Sequence, residues 1–189
     1  MQILWMLVET LASLMASVCL LRAYAWSMRI PGHGNPLVHF SQVLSRWLVT
    51  PVSRLIKPTS RVDWPSLVSA LLLGLLTAWV FSALSRFGFG VALTPVLAVL
   101  WVLRWGLYLA MMLIIASAIL SLVNPQAPLA WPLQQLTAPL LAPFRRIVPL
   151  VGNFDLSPLV AIILIQILLV IFDPTLVLSA LGSMLAGGY

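Results

Sequence analysis

Residues 64–84 read WPSLVSALLLGLLTAWVFSAL, a stretch without a charged side chain. A helix of about 20 such residues crosses the hydrocarbon core of a bilayer, because a helix satisfies its own backbone hydrogen bonds there. The whole chain has the same character, because 62% of its residues are apolar and 7% are charged. In soluble domains, about 45–50% of residues are apolar and about 25% are charged. The sequence therefore predicts an all-α integral membrane protein.

Three more stretches are long and apolar enough to span a bilayer, at about residues 3–28, 95–123 and 156–172. Residues 85–90, between the second and third spans, contain glycines that suit a tight turn, so these two helices are expected to be antiparallel neighbours. Asp173-Pro174 is expected to end or kink the fourth span, and residues 174–186 to form a further short helix. We thus expect four transmembrane helices.

The connections at about residues 36–57 and 126–148 are long, and their apolar residues recur at the spacing of one helix face. In the first connection they are Leu37, Phe40, Leu44, Trp47, Leu48, Leu55 and Ile56; in the second they are Leu129, Leu133, Leu136, Leu140, Phe144 and Ile147. Both connections are predicted to be amphipathic helices that are either surface-lying or re-entrant. Pro51 in the first, and Pro139, Pro143 and Pro149 in the second, are expected to break them into shorter pieces.

The two halves of the chain are predicted to be an internal repeat. Asn35 matches Asn124 and Asp63 matches Asp155, each pair separated by about 90 residues. The two units are residues 1–86 and residues 87–189, each a helix, an amphipathic segment and a helix. Because each unit crosses the membrane twice, both run in the same sense, and a pseudo-twofold axis along the membrane normal is expected to relate them.

Basic residues outnumber acidic ones, with ten Lys and Arg against four Asp and Glu. Seven of the ten lie in or beside the two long connections, at Arg29, Arg46, Arg54, Lys57, Arg61, Arg145 and Arg146. This placement favours anionic lipid headgroups as their counter-charge and disfavours a nucleic-acid partner. Short loops rich in Lys and Arg stay in the cytoplasm, so both amphipathic segments are predicted to be cytoplasmic and both termini periplasmic. The single cysteine, Cys19, excludes an intramolecular disulfide. His33 and His39 lack further ligands, so neither a metal nor another cofactor is expected.

Four basic residues near the ends of the amphipathic segments are the predicted lipid or partner contacts: Arg54, Lys57, Arg145 and Arg146. Anionic headgroups would contribute about 1 kcal/mol per residue, and a cytoplasmic protein is the alternative partner. The pattern pairs no nucleophile with a base, so no catalytic residue is predicted and the protein is not expected to be an enzyme.

Asp63 and Asp155 precede the second and fourth spans, each with a proline in the following first turn. One interpretation is helix capping, which contributes about 1 kcal/mol. The other interpretation is an ion pair with a nearby arginine: Asp63 with Arg54, and Asp155 with Arg145 and Arg146. Each pair would fix an amphipathic segment against the span that follows it. Both interpretations can hold together.

Small residues occupy every fourth position of the second span, at Ser66, Ala70, Gly74, Ala78 and Ser82. They are predicted to be a packing seam within the molecule, and a dimer seam or a pore lining are the alternatives. The repeat matches Gly74 with Gln166 in the fourth span. Gln166 is predicted to point inward and hydrogen-bond to a neighbouring helix, with a step in a conduction path as the alternative.

Glu9 in the first span and Arg104 in the third are expected at a similar depth, at 1.5 Å of rise per residue. They are either an ion pair or separate side chains that snorkel to the outer interface. The aromatic belt predicted there consists of Trp5, Trp101, Trp105 and Tyr108. Arg22 is expected to snorkel to the cytoplasmic interface.

Several phrases of the sequence look like the signature of the YggT (YlmG-like) family. They are Leu21-Arg22 before Trp26, Asn35-Pro36, the PLLAPFRRIVP stretch at 139–149, and Asp155-Leu-Ser-Pro158. The resemblance covers the full length and is closer in the second half, because Ser53 precedes Arg54 where the family often has a second arginine. It implies a bacterial inner-membrane protein, or a thylakoid one in plants. It also implies links to osmotic and potassium stress, to envelope placement and to chloroplast nucleoid and cytochrome maturation.

The expected function follows from this resemblance. It is a non-enzymatic inner-membrane protein that contributes to osmotic or potassium homeostasis or to envelope organisation, through anionic lipids, another membrane protein or further copies of itself. The alternative is an oligomeric channel or transporter component that conducts a small ion. Four crossings enclose little volume, so a pore would require an oligomer.

Overall fold

The computed structural model describes residues 2–84, 93–147 and 155–179. Within these ranges the helices are α1 Gln2–Ser27, α2 Pro36–Leu55, α3 Trp64–Leu84, α4 Thr94–Val123, α5 Ala130–Ile147 and α6 Ser157–Ile171. The all-α class is therefore confirmed. Among the described residues, four stretches are long and apolar enough to cross a membrane: Trp5–Ser27, Trp64–Leu84, Thr94–Val123 and Ser157–Ser179. The chain thus has the architecture of a multi-pass membrane protein.

Along the chain, α2 lies between the first two of these stretches and α5 lies between the last two. α3 packs against both α1 and α4, and α6 packs against α4 and α5. α6 ends at Ile171 and helix resumes at 174–179, where Asp173 Oδ1 accepts hydrogen bonds from the backbone and hydroxyl of Thr175. The turn expected at 85–90, the break expected at Pro149 and most of the helix expected at 174–186 lie outside the described residues. The twofold relation between the halves stays a prediction.

Small side chains and indoles build the core between α1, α3 and α4. Alanines of all three helices, among them Ala16, Ala70 and Ala98, are fully buried beside Trp101 and Trp105. The two indoles are 3% and 2% exposed, so the prediction that they belong to an interfacial belt is wrong. The small neighbours leave space that the large rings fill, and burying rings of this size is strongly favourable.

Prolines do not interrupt α2 or α5. α2 continues through Pro51, and α5 continues through Pro139 and Pro143. The prediction that these residues break the segments is wrong, although each proline inside a helix removes a hydrogen bond at a cost of about 3 kcal/mol. Packing of the inner faces offsets this cost. The buried residues are Val38, Ser41, Ser45 and Val49 in α2, and Ala130, Pro132, Leu133, Leu136, Thr137 and Leu141 in α5.

The outward face of α2 is aromatic and apolar, with Phe40, Val43 and Trp47 exposed. Its inward face carries two serines whose hydroxyls donate to carbonyls of their own helix: Ser41 to Val38 and Ser45 to Ser41, both at 2.7 Å. Such bonds let hydroxyl groups enter a packed interface without an unsatisfied donor. The apolar residues of α2 therefore divide between the bundle and the surroundings.

Candidate functional site

An arginine–aspartate pair joins α1, α2 and α3 at the end of the bundle where α2 lies. Arg22 Nε donates to Asp63 Oδ2 at 3.2 Å, and Asp63 is 2% exposed. Ser66 Oγ donates to the same carboxylate oxygen at 2.6 Å, and Arg22 Nη1 donates to Ser45 Oγ at 3.4 Å. A buried carboxylate needs such a set of charged and polar partners, because an unpaired buried charge is strongly unfavourable.

The predicted pairing of Asp63 with Arg54 is wrong. Arg54 lies exposed in the last turn of α2, whereas the side chain of Arg22 extends from α1 to Asp63 at the start of α3. Arg22 therefore does not snorkel outward as expected. A signal was present in the sequence, because charged residues within a membrane span usually face the bundle and pair.

The second junction joins α5 to α6 through Arg145 and Asp155. Arg145 Nε donates to Asp155 Oδ2 at 2.9 Å, and the backbone N–H of Ser157 donates to Asp155 Oδ1 at 2.9 Å. Partial burial alone would raise the pKa of Asp155, but the hydrogen bonds from Ser157 and Arg145 lower it below its usual value. The carboxylate thus holds the start of α6 against the end of α5.

Asn35, at the start of α2, is fully buried and makes side-chain hydrogen bonds to the second half of the chain. Its Oδ1 accepts from the N–H groups of Leu37 and Val38, and its Nδ2 donates to Pro132 O at 2.9 Å and to Gln135 Oε1 at 3.3 Å. One side chain therefore caps α2 and joins it to α5. The Asn-Pro sequence signals the cap, but nothing in the sequence indicated the partner on α5.

Tyr24 makes a second connection between the halves. Its hydroxyl on α1 donates to Leu136 O on α5 at 2.8 Å. Asn124, which the repeat matches with Asn35, behaves differently, because it is exposed and its Oδ1 accepts from the backbone of Gln126. The starts of α2 and α5 are therefore held in different ways.

Arg104 pairs with Asp173 at the opposite end of the bundle. Its Nη1 donates to Asp173 Oδ2 at 2.6 Å, and its guanidinium lies 5.8 Å and 5.7 Å from the ring centres of Trp101 and Tyr108. Of the two alternatives, the one that pairs Arg104 with Glu9 is wrong, since in the described part of the chain Glu9 has no ion pair. Asp173 follows the end of α6, which packs on α4, and this packing brings its carboxylate to Arg104.

The stripe of small residues on α3 faces other helices of the same chain. Ser66, Ala70, Gly74 and Ala78 are buried, and Ser82 is half-buried. A Cβ atom on Gly74 would lie 2.8 Å from Ala98 O of α4. The backbones of α3 and α4 therefore approach closely at Gly74, as small residues permit.

Gln166 does not point into the bundle, and the prediction that it bonds to a neighbouring helix is wrong. It is exposed and has no hydrogen-bond partner among the described residues. The inward face of α6 is filled by Ala161, Ile165 and Leu169. Gln166 instead lines a groove of about 960 Å³ between α4, α5 and α6. Other polar residues of this groove are Ser117, Ser121, Gln134, Thr137, Arg145 and Asp155.

The four basic residues predicted to contact lipids or a partner are exposed, and Arg145 is in addition bound to Asp155. A separate cavity of about 410 Å³ between α1, α3 and α4 is almost wholly apolar, with Leu20, Leu109 and Leu113 in its wall. Within the described ranges, no three His, Cys, Asp or Glu side chains come together as a metal site.

Comparison with known proteins identifies the family to which the chain belongs. The sequence profile of the CCB3/YggT family matches residues 1–84 and 96–176. The chain belongs to the CCB3/YggT family. The predicted family is thereby confirmed.

Relatives in the family match nearly the whole chain. The Escherichia coli protein named YggT is 28% identical over 189 residues, covering 100% of this chain and 97% of the relative. A Pseudomonas aeruginosa relative is 31% identical over 166 residues, covering 86% of this chain and 84% of its own. A Vibrio alginolyticus relative is 29% identical over 164 residues, covering 85% and 88%. No solved structure matches the chain.

In this member of the CCB3/YggT family, the two sequence segments that most resemble the family signature, residues 139–149 and 155–158, lie next to each other. The arginine pair at 145–146 ends α5, and Asp155 precedes α6. The Arg145–Asp155 ion pair joins them. Arg146 remains exposed beside this junction.

Proposed function

We propose that this protein is a non-enzymatic inner-membrane protein that contributes to osmotic and potassium homeostasis or to envelope organisation through contacts with anionic lipids and other membrane proteins. The observation that carries the proposal is the paired placement of α2 and α5. These helices contact each other and end in exposed basic side chains, at Arg54 in α2 and at Arg145 and Arg146 in α5.

The chemistry of these helices suits the headgroup region of a bilayer. Exposed Phe40 and Trp47 on α2 and Trp131 on α5 can enter the interface, while the basic ends reach phosphate groups. Each basic side chain near an anionic surface contributes about 1 kcal/mol. Because Lys- and Arg-rich loops stay in the cytoplasm, we place α2 and α5 on that side and both termini in the periplasm.

Arg146→Gln tests the lipid contact most directly, because it removes an exposed charge and leaves the Arg145–Asp155 pair in place. We expect purified Arg146→Gln protein to retain less phosphatidylglycerol than the unmodified protein in native mass spectrometry. Retention of phosphatidylcholine should be equal. Arg86→Gln is the charge-matched control, because Arg86 is expected on the opposite membrane face. Unchanged phosphatidylglycerol binding in Arg146→Gln, or an equal loss in Arg86→Gln, would contradict the proposed contact.

Growth at high osmolarity tests the physiological part of the proposal. In a strain lacking the protein, we expect the Arg145→Gln/Arg146→Gln variant to restore less growth than the Arg86→Gln variant at equal membrane abundance. Equal restoration would count against a role for the basic segment. Reconstituted liposomes test the alternative class: potassium flux that depends on the protein would indicate a channel or transporter component and contradict the proposal.

A further inference from the structure

The apolar cavity between α1, α3 and α4, here named the junction cavity, lies where the two halves of the chain meet. Its volume is about 410 Å³, within the range of about 300–1,000 Å³ that ligand sites occupy. Helices of both halves supply its wall, which includes Leu20 of α1, Leu67 of α3, Leu109 of α4 and Leu140 of α5. All four leucines are half-buried, so the cavity is accessible from outside the bundle.

The hydroxyl groups in this wall already have partners within the chain. The hydroxyl of Tyr24 donates to Leu136 O at 2.8 Å, and that of Ser27 donates to Tyr24 O at 2.7 Å. A stable buried water needs two to four polar partners, and an apolar wall does not supply them. The part of a ligand that enters the junction cavity is therefore a hydrocarbon chain.

The cavity extends from the end of the spans into one leaflet. Ser27 is the last residue of α1, and Leu20 lies seven residues before it, or about 10 Å at 1.5 Å per residue. One leaflet contributes about 15 Å to a hydrocarbon core of about 30 Å. The upper part of one acyl chain thus matches the depth between these two wall residues.

Arg61 is the charged residue among the described residues of the wall, and it is exposed. It belongs to a turn between α2 and α3 in which the N–H of Thr59 donates to Val62 O at 2.9 Å. Trp26 on α1 holds this turn, because its Nε1 donates to Thr59 O at 2.9 Å. The backbone that carries Arg61 is therefore fixed beside the end of α1.

The guanidinium of Arg61 has no anionic partner in the described ranges. Asp63, two residues further along the chain, is buried and paired with Arg22. None of the described wall residues is acidic. Phosphate oxygens complement a guanidinium, because they accept two parallel N–H···O bonds from it. A cation at the end of an apolar cavity thus suits an amphiphile with an anionic headgroup.

We infer that the junction cavity binds one anionic phospholipid, with part of an acyl chain among its leucines and the phosphate on Arg61. Such a lipid contacts α1 and α3 of the first half and α4 and α5 of the second, so it joins the two halves. The site is separate from Arg54, Arg145 and Arg146, whose side chains carry the lipid contact proposed above. It extends that proposal to a lipid held between helices.

Photolabelling of the full chain in vesicles tests the site. The probe is phosphatidylglycerol with a diazirine on one acyl chain, and mass spectrometry locates the labelled residues. We expect label on Leu109 and Leu113 of the wall at several times the level given by phosphatidylcholine with the same chain. Ile119, exposed on α4 and outside the wall, should be labelled equally by both lipids. Equal labelling of the wall by the two lipids, or no label there, would overturn the inference.

Arg61→Gln removes the proposed phosphate contact at an exposed position. Labelling of Leu109 and Leu113 by the phosphatidylglycerol probe should fall several-fold. Arg46→Gln is the matched control, because Arg46 is also an exposed arginine on the same side of the bundle and is not part of the wall. Undiminished labelling in Arg61→Gln, or an equal fall in Arg46→Gln, would refute the assignment.

Arg146→Gln separates this site from the lipid contact proposed above. It should lower the total retention of phosphatidylglycerol and leave the labelling of Leu109 and Leu113 unchanged, because Arg146 is not in the wall. If total retention is unchanged, the earlier proposal fails while the junction site stands. If Arg146→Gln lowers the wall labelling as much as Arg61→Gln does, Arg61 does not select the lipid and the assignment fails.

Ala110→Leu places a larger side chain in the wall, and Ala83→Leu makes the same change on an exposed face of α3. A ligand that binds only the folded protein raises its unfolding temperature. Added phosphatidylglycerol should therefore raise the unfolding temperature of the parent and of Ala83→Leu in detergent, and have a smaller effect on Ala110→Leu. An equal rise in both variants, together with equal labelling of Leu109, would show that no acyl chain enters the cavity.

Discussion

Replacing Gly74 by alanine probes the close approach of α3 and α4. The added Cβ would lie 2.8 Å from Ala98 O and 2.9 Å from Val102 Cγ2, closer than ordinary van der Waals contact. The carbonyl belongs to the backbone and cannot rotate away, so the helices must separate. Overpacking of this kind costs about 1–3 kcal/mol.

Gly106→Ala in α4 is the matched control. Its Cβ would meet only Leu20 Cδ1, at 3.8 Å, which is an ordinary contact. Both variants gain the same helix propensity, about 1 kcal/mol, so the difference between them isolates the steric cost. At about 2–4 °C per kcal/mol for a chain of this length, Gly74→Ala should unfold about 2–12 °C below Gly106→Ala.

The assay is thermal unfolding of the purified proteins in one detergent, followed by size-exclusion chromatography of the heated samples. Gly106→Ala should unfold at or above the temperature of the unmodified protein. If Gly74→Ala is as stable as Gly106→Ala, α3 and α4 do not approach as described, and the small-residue seam does not set their packing.

Three further predictions concern the ion pairs. Arg22→Gln leaves the buried Asp63 without its cation; it should cost about 3–5 kcal/mol, and adding Asp63→Asn should restore part of the loss in the same thermal assay. Arg104→Gln and Asp173→Asn should be less than additive, with a coupling of about 0.5–3 kcal/mol; additive effects would argue against the pair. Because the pKa of Asp155 is lowered in the folded protein, its stabilising contribution is present above its unfolded value of about 4 and is lost as the pH falls through the folded value. Asp155→Asn should therefore weaken the loss of stability that occurs as the pH falls below about 4, and an unchanged pH profile would contradict this role.

Hydropathy alone located the membrane helices. A helix in hydrocarbon must be apolar along its whole length, so composition is sufficient to find it. The predicted spans at 64–84 and 95–123 differ from α3 and α4 by no more than one residue at either end. Proline was a poorer guide, because the local cost at Pro51 or Pro139 is outweighed by packing contacts that no local pattern reveals.

The tertiary structure decides which charged residues form ion pairs with each other. Asp63 could be recognised as a residue at a helix start, but whether it takes Arg22 or Arg54 depends on which helix ends meet, and this follows from the packing of α1 against α3. The packing of α6 on α4 likewise brings Asp173 close enough to Arg104 to form an ion pair. A salt bridge needs two atoms within about 4 Å, and sequence patterns fix depth along a helix but not distance between helices.

Within one helix, residues 64–84 show the same difference between what the sequence determines and what the structure determines. Its lack of charge determined that it spans the membrane, and its small residues every fourth position determined that another backbone could come close. Only the folded structure showed that α4 occupies that place at Gly74, whereas the matched Gln166 of α6 lies exposed in the groove between α4, α5 and α6. A side chain's direction depends on which faces of its helix the neighbouring helices cover, and that is a property of the whole bundle.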